Sequence, residues 1–345
     1  MNFSSDNVAG IAPEILAALT AANTGRQPSY GEDPFTARVE RRLAEIFEHE
    51  VAVFPVATGT AANALALATL VPPWGAVYCH EEAHIVVDEC GAPEFYAGGA
   101  RMAGIAAAHG KIGVDDLAAR LPGGKGVVHH MQPAAISLTQ ATEAGTVYRA
   151  DEIAAIGELV RQHGLGFHVD GARFANALVH LGCAPAEITW RAGVDVLSFG
   201  ATKNGAAAAE AVIFFDPAKV ADFAFRRKRG GHLFSKMRFL SAQLDSYLAN
   251  DLWLRNARHA NAMAARLAAG LAQLPTMRLR HPVEANEIFV EMPDAVIEAL
   301  FARGFHFYRW DGPRGNCVRL VTAFDTAPAD VDAFLVTARG VNSAE

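Results

Sequence analysis

Phe167-His168-Val169-Asp170-Gly171-Ala172-Arg173 is a short apolar run that stops on a carboxylate. With Gly166 in front, it reads as a buried strand over 166–169 that Asp170 terminates. Open α/β sheets present their ligands at that carboxyl edge. A carboxylate there is costly unless something positive meets it, and an Asp170–Arg173 ion pair that merely shapes the turn is the plain reading. The helical pattern Ala150–His163, closed by Gly164, comes before the strand, and two more buried runs follow at 194–199 and 211–215. Short Val-, Ile- and Phe-rich runs alternating with longer helical patterns predict an α/β fold with a mostly parallel sheet.

Working back toward the start, residues 51–56 read as a strand, followed by Ala57-Thr58-Gly59-Thr60 and a helix over 61–70. The first clear helix opens at Asp33-Pro34, a capping residue followed by proline, with Phe35, Val39, Leu43, Ile46 and Phe47 on one stripe. Toward the end, the basic stretch Arg226-Arg227-Lys228-Arg229-Gly230-Gly231 leads into a long helical pattern that runs to about Leu274. Strand-like 288–292, a helix over 295–303, strand-like 317–321 and a final helix from Pro328 come next. These place a large unit over 1–250 and a smaller α/β unit over 251–345.

Composition narrows the function classes. Hydrophobic residues make up 51% of the 345 and charged residues 19%, which supplies a sizeable core. A formal net charge of −7 speaks against a nucleic-acid partner. The apolar stretch 61–73 is interrupted by Asn, Thr and Pro well short of the roughly 20 residues a membrane helix needs. Met1-Asn2-Phe3-Ser4-Ser5-Asp6 has neither a basic n-region nor an apolar h-region, so no signal peptide is expected. Cys79, Cys90, Cys183 and Cys317 form no Cys-x-x-Cys pair, which fits buried thiols in a reducing cytoplasm and no metal site.

Three features suggest chemistry. Thr58-Gly59-Thr60 sits at a strand-to-helix turn whose free N–H groups and helix dipole suit a phosphate, although taken alone Thr58 as a plain N-cap is the readier reading. No Gly-x-Gly-x-x-Gly opens a helix after the first strand, and no Gly-x-x-x-x-Gly-Lys-Ser/Thr occurs, so a dinucleotide or ATP is the poorer fit. Lys203, in Gly200-Ala201-Thr202-Lys203-Asn204-Gly205, follows a strand among small residues, where it can reach inward to serve as a nucleophile. A phosphate turn, an aspartate at a strand end and such a lysine together match pyridoxal 5'-phosphate: its phosphate, its ring nitrogen and its aldehyde, held as a Schiff base. His84 follows a short strand at 77–79, where an aromatic ring could stack on the cofactor. Arg319, flanked by Val318 and Leu320, is an arginine in an apolar strand that wants a buried anion, either a ligand or an acidic neighbour of the small unit.

These residues match a family. The chain resembles the low-specificity L-threonine aldolases, with phenylserine aldolase as a close relative, on the aspartate-aminotransferase-like fold (pyridoxal-phosphate fold type I). Ser5-Asp6-Asn7, Tyr30-Gly31-Glu32-Asp33-Pro34, Thr58-Gly59-Thr60, His84, His168-Val169-Asp170-Gly171-Ala172-Arg173, Lys203 and Val318-Arg319-Leu320-Val321-Thr322 carry the resemblance over nearly the whole chain. It implies that Lys203 carries the cofactor, Asp170 pairs with the ring nitrogen, His84 stacks on the ring and Thr58, Gly59 and Thr60 hold the phosphate. Ser5, Arg173 and Arg319 would bind the substrate carboxylate. Tyr30 and the stretch around Lys228 and Arg229 would reach a neighbouring subunit's site in a homotetramer of close dimers.

The sequence departs from the family in two places. Many members carry Glu-Asn-Thr-His-Asn after a central strand, with the histidine near the substrate's β-hydroxyl; here Thr142, in Thr139-Gln140-Ala141-Thr142-Glu143, falls at that histidine's place. The glycines Gly230-Gly231 continue as His232-Leu233-Phe234-Ser235-Lys236, where Gly-Met-Arg-Gln is commoner. The implied reaction is retro-aldol cleavage of L-threonine, L-allo-threonine and L-phenylserine to glycine and an aldehyde, with His84, directly or through a water, as the base. The alternatives are β-elimination, transamination and a non-catalytic cofactor-binding protein.

Overall fold

Asp33 caps the first long helix through its own side chain. One carboxylate oxygen accepts from the N–H groups of Phe35 and Thr36, both at 3.0 Å, and Pro34 takes the first helical position. The helix Pro34–Phe47 buries Val39, Leu43 and Phe47 against the main core and ends at Glu48, whose backbone is left-handed. The computed structural model describes residues 1–121 and 123–342. Within it an earlier helix, Pro13–Ala22, precedes the first one expected.

The central sheet has seven strands: β1 (Ala52–Val56), β2 (Gly75–His80), β3 (Arg101–Ile105), β4 (Gln132–Thr139), β5 (Gly166–Gly171), β6 (Val196–Gly200) and β7 (Glu210–Phe214). Their order is β1-β7-β6-β5-β4-β2-β3. The neighbours from β6 through β5, β4 and β2 to β3 are parallel, and β7 runs antiparallel to both β1 and β6. A mostly parallel sheet buried on both faces reads as continuous apolar runs, as β6 and β7 do. Helices cover it, among them Gly59–Leu70 and Ala150–His163, the latter ending on left-handed Gly164 as its sequence predicts.

Two glycines let the backbone close around the carboxyl edge. A Cβ on Gly171 would stand 2.7 Å from the Ser198 carbonyl, and one on Gly200 would stand 2.5 Å from the Ala172 carbonyl. The ends of β5 and β6 therefore approach more closely than a side chain allows.

The long helical pattern after the basic stretch is broken. It folds as two helices, Arg238–Leu248 and Leu252–Leu271, with positive φ at Asn250 and Asp251 between them, and most of the basic stretch itself lies on a separate short helix, Phe223–Arg229. A second, antiparallel sheet follows, made of β8 (Arg278–Leu279), β9 (Glu287–Glu291), β10 (Tyr308–Arg309) and β11 (Cys317–Val321) in the order β10-β11-β9-β8. Its core gathers Ile288, Val290, Leu300, Phe305, Val318 and Phe334. Phe3 joins that core, 1% exposed and edge-on to Phe334. The backbone bonds Phe3 N–H to His306 O (2.7 Å) and Val321 N–H to Phe3 O (2.8 Å) pin the N-terminal segment there. That anchor delivers Ser5-Asp6-Asn7 to the carboxyl edge of the large sheet.

Candidate active site

A cavity of about 350 Å³ opens at that edge, lined by the Thr58-Gly59-Thr60 turn, Asn63, His84, Glu89, Glu143, Asp170, Arg173, Lys203 and Glu210, among others. The structure thus brings seven sequence-predicted residues into one wall: Thr58, Gly59, Thr60, His84, Asp170, Arg173 and Lys203.

The turn is built by its own residues. Thr58 is extended, and its hydroxyl accepts from the Ala61 N–H at 3.2 Å, so it caps the twelve-residue helix Gly59–Leu70. A Cβ on Gly59 would meet nothing within 4 Å, which leaves room for a group at the helix N-terminus. One turn further in, Asn63 is a buried amide in an otherwise Ala- and Leu-rich helix. Its Nδ2 donates to Asp170 Oδ2 at 2.7 Å and to Glu89 Oε1 at 2.8 Å. The other oxygen of Asp170 accepts from the Ala172 N–H at 2.9 Å. Beneath Asp170, His168 sits between the hydroxyls of Ser137 (2.8 Å) and Ser198 (3.0 Å). Burial pushes its imidazole down to about 4, so it is neutral.

Lys203 lies in a single 3₁₀ turn, Thr202–Asn204. The turn is fixed by Asn204, whose Nδ2 donates to Tyr247 Oη (2.7 Å) and Trp253 O (2.8 Å). Glu210 stands next to it and accepts from the Ala201 N–H at 2.9 Å; burial raises its carboxyl to about 7, against the pull of those bonds and of Lys203. His84 is held at both ends. Its Nδ1 donates to Glu89 Oε1 and its backbone N–H to Glu143 Oε1, each at 2.9 Å. The Glu89 bond raises the imidazole's pKa against desolvation.

Arg173 does not pair with Asp170. Its Nε and Nη2 donate to the two oxygens of Asp6 at 2.7 and 3.1 Å, and its Nη1 lies 3.0 Å from Glu287 Oε2. Burial opposes charge on Asp6, but Arg173, Lys203 and the bonds from Arg173 and Asn286 hold its carboxyl below the ordinary value. Arg319 lies outside the lining. Its Nη2 donates to Ser4 O at 3.0 Å, its Nη1 is 4.0 Å from Glu287 Oε1, and its guanidinium lies over Trp310. Ser5 is also set back. Its hydroxyl accepts from the Asn7 N–H at 3.1 Å, and Asn7 is the residue of that segment that lines the cavity.

Two residues are placed elsewhere. Tyr30 is 48% exposed and sits under Lys228 Nζ at 4.9 Å in a separate open groove with Phe234 and Lys236. Thr142 is fully buried, with its hydroxyl 2.8 Å from that of Thr146. β4 ends at Thr139 and the chain turns; Thr139, Ala141 and Glu143 line the cavity, while Gln140 and Thr142 are buried. Asn63, Glu89, Glu143 and Glu210 are the site residues that the sequence reading left unassigned. A lone amide in an apolar helix was the available signal for Asn63.

The donor set fits pyridoxal phosphate. The open helix N-terminus suits its phosphate, the anchored Asp170 carboxylate its ring nitrogen, Lys203 its aldehyde and His84 a ring face. Buried polar atoms with no hydrogen-bond partner, Asn63 Oδ1, Glu89 Oε2 and Glu143 Oε2, border the same space.

The comparisons with known proteins agree with that geometry. A β-eliminating lyase family profile matches residues 2–295. The low-specificity L-threonine aldolase of Pseudomonas aeruginosa is 46% identical over 94% of this chain and 93% of its own. Its counterpart from another Pseudomonas is 43% identical over 99% and 98%. Among solved structures, the threonine aldolase of Leishmania major superposes with a TM-score of 0.93 at 29% identity, covering 99% of both chains. Serine palmitoyltransferase of Sphingomonas wittichii shares the fold at a TM-score of 0.73 and 16% identity, over 100% of this chain and 87% of that one. The chain therefore belongs to the β-eliminating lyase family and, within it, to the low-specificity L-threonine aldolases, pyridoxal-phosphate-dependent carbon–carbon lyases of fold type I.

Proposed function

We propose that this protein cleaves L-threonine, L-allo-threonine and L-phenylserine to glycine and the corresponding aldehyde. The observation that carries this reading is the meeting of Lys203, Asp170, His84 and Arg173 in one cavity with the N-terminus of the helix Gly59–Leu70. Pyridoxal phosphate, when bound, supplies an electron sink for the pair released from the Cα–Cβ bond. Lys203 provides the amine for its aldehyde, and Asp170 holds a proton at its ring nitrogen. Asn63 and the Ala172 N–H each donate to the Asp170 carboxylate and keep it aimed. Thr58, Gly59 and Thr60 hold the phosphate, and His84 covers a ring face.

Arg173 binds the substrate carboxylate in competition with Asp6 and Glu287, and Arg319 and Ser5 complete that clamp from behind it. Fixing the carboxylate and the nitrogen together sets which bond at Cα is aligned to break, and favours the L enantiomer. The β-hydroxyl then lies on the side of His84, where its proton must be accepted.

The assembly is a homotetramer of close dimers, in which Tyr30, Lys228 and Arg229 reach the neighbouring subunit's site. Exposed Trp74, Phe95 and Phe225 support an apolar contact between copies. Residues 1–250 form the cofactor-binding unit with its N-terminal arm, and 251–345 the small unit. Four free cysteines fit a reducing cytoplasm. Among the described residues no helix is long and apolar enough to cross a membrane.

Product analysis tests the function. L-threonine should give glycine and acetaldehyde in equal amounts; ammonia with a keto acid would mean elimination or transamination, and no turnover a non-catalytic protein.

A further inference from the structure

Glu143 has one oxygen engaged and one left open. Its Oε1 accepts from the His84 N–H at 2.9 Å and from Thr139 Oγ1 at 2.8 Å. Its Oε2 is buried with no hydrogen-bond partner, in a residue that lines the cavity. A buried acceptor without a partner costs free energy comparable to a lost hydrogen bond. A substrate donor placed there recovers it. The neighbouring imidazole has its Nδ1 committed to Glu89, which leaves Nε2 as its one remaining position, whereas Glu143 Oε2 already stands open.

We propose that Glu143 is the catalytic base that exchanges the proton of the substrate's β-hydroxyl, at Oε2. This assignment rests on the retro-aldol reading above. In cleavage the O–H bond breaks and its proton moves to Oε2, while its electron pair forms the second C–O bond of the aldehyde. The Cα–Cβ bond breaks and its pair stays with Cα, which takes a proton from water to give glycine. Glu143 releases its proton to solvent, so protons and electrons balance without oxidant or reductant. In the reverse direction the same carboxyl protonates the alkoxide. Burial raises the Glu143 carboxyl above its ordinary 4.5, in the direction that suits a base working near neutrality.

Glu143→Gln tests this in the holoenzyme. The amide keeps an oxygen for the His84 and Thr139 donors but presents an NH₂ where the base must accept. The expected result is a kcat for L-threonine lower by about a hundredfold or more. Glycine, which lacks the hydroxyl, should bind with a Kd within about twofold of wild type by spectral titration. Glu143→Asp, which keeps a carboxylate, should recover at least about tenfold over the Gln variant. A Gln variant that cleaves L-threonine at near-wild-type rate overturns the assignment. Parallel loss of glycine binding, or an Asp variant no better than Gln, overturns it too, by showing a structural role. A wild-type enzyme that binds glycine but releases no aldehyde defeats the retro-aldol reading itself, an outcome read on the unmutated protein.

Discussion

Asp6 holds Arg173 in a two-pronged ion pair, at 2.7 and 3.1 Å, behind the cavity wall that Arg173 lines. The two residues lie far apart in sequence, and the pair joins the N-terminal arm, anchored by Phe3 in the second core, to the end of β5. Breaking a buried pair by removing one partner typically costs about 3–5 kcal/mol. Glu287 remains beside Arg173 at 3.0 Å, so the low end applies. Asp6→Ala should lower unfolding stability by about 3 kcal/mol, measured by urea denaturation. An unchanged midpoint would mean that the pair contributes nothing.

Asn63 bridges Asp170, the carboxylate proposed for the ring nitrogen, and Glu89, which orients His84. Asn63→Ala removes two charge-assisted bonds at once, each worth about 1.5–3 kcal/mol. The variant should retain cofactor less tightly by roughly tenfold to a hundredfold, read as absorbance remaining after dialysis. Retention equal to wild type would show that Asp170 needs no second donor.

Glu210 gives a pH-dependent test. Its folded pKa, about 7, lies above the ordinary 4.5, so its protonated form stabilises the fold fully below 4.5 and that contribution is lost as pH rises through 7. At 1.36 kcal/mol per unit the difference is about 3 kcal/mol. Glu210→Gln has no such titration. Its melting temperature relative to wild type should climb between pH 4.5 and 7 and level off above. A difference that is flat with pH would mean that Glu210 is ionised throughout.

How much of this was legible in the sequence depends on whether a residue's role is local. Asp33-Pro34, Gly164 and Thr58 announce helix ends because a cap is a short-range device. Lys203 and Asp170 announce themselves as polar residues at the ends of apolar strands. Asn63, Glu89 and Glu143 acquire their roles only when β2, β4, β5 and the helix Gly59–Leu70 converge, and no spacing encodes that. Thr142 illustrates the sensitivity. It is buried in the turn after β4, and the carboxylate that accepts from the His84 N–H belongs to Glu143, one residue on. The break at Asn250 and Asp251 was hidden because neither is glycine, although asparagine and aspartate tolerate that backbone best among the rest.

Selectivity at Cβ should be modest. The groups that can read the hydroxyl's direction are the Glu143 oxygen and His84, and a hydrogen bond to a charged group discriminates by about 1.5–3 kcal/mol, roughly tenfold to a hundredfold. L-threonine and L-allo-threonine should both be cleaved, with kcat/KM values less than about a hundredfold apart. A ratio in the thousands would require a fuller set of fixed groups than this cavity holds.

The measurement that bears most directly on the account is the site of covalent attachment. Borohydride reduction of the active holoenzyme, digestion and mass analysis should place the cofactor on the peptide containing Lys203, with aldehyde release abolished in the same sample. Lys203→Ala should then be folded, colourless and inactive. Cofactor mass found on another lysine, such as Lys111 or Lys228, or a Lys203→Ala variant that still cleaves L-threonine, would contradict it.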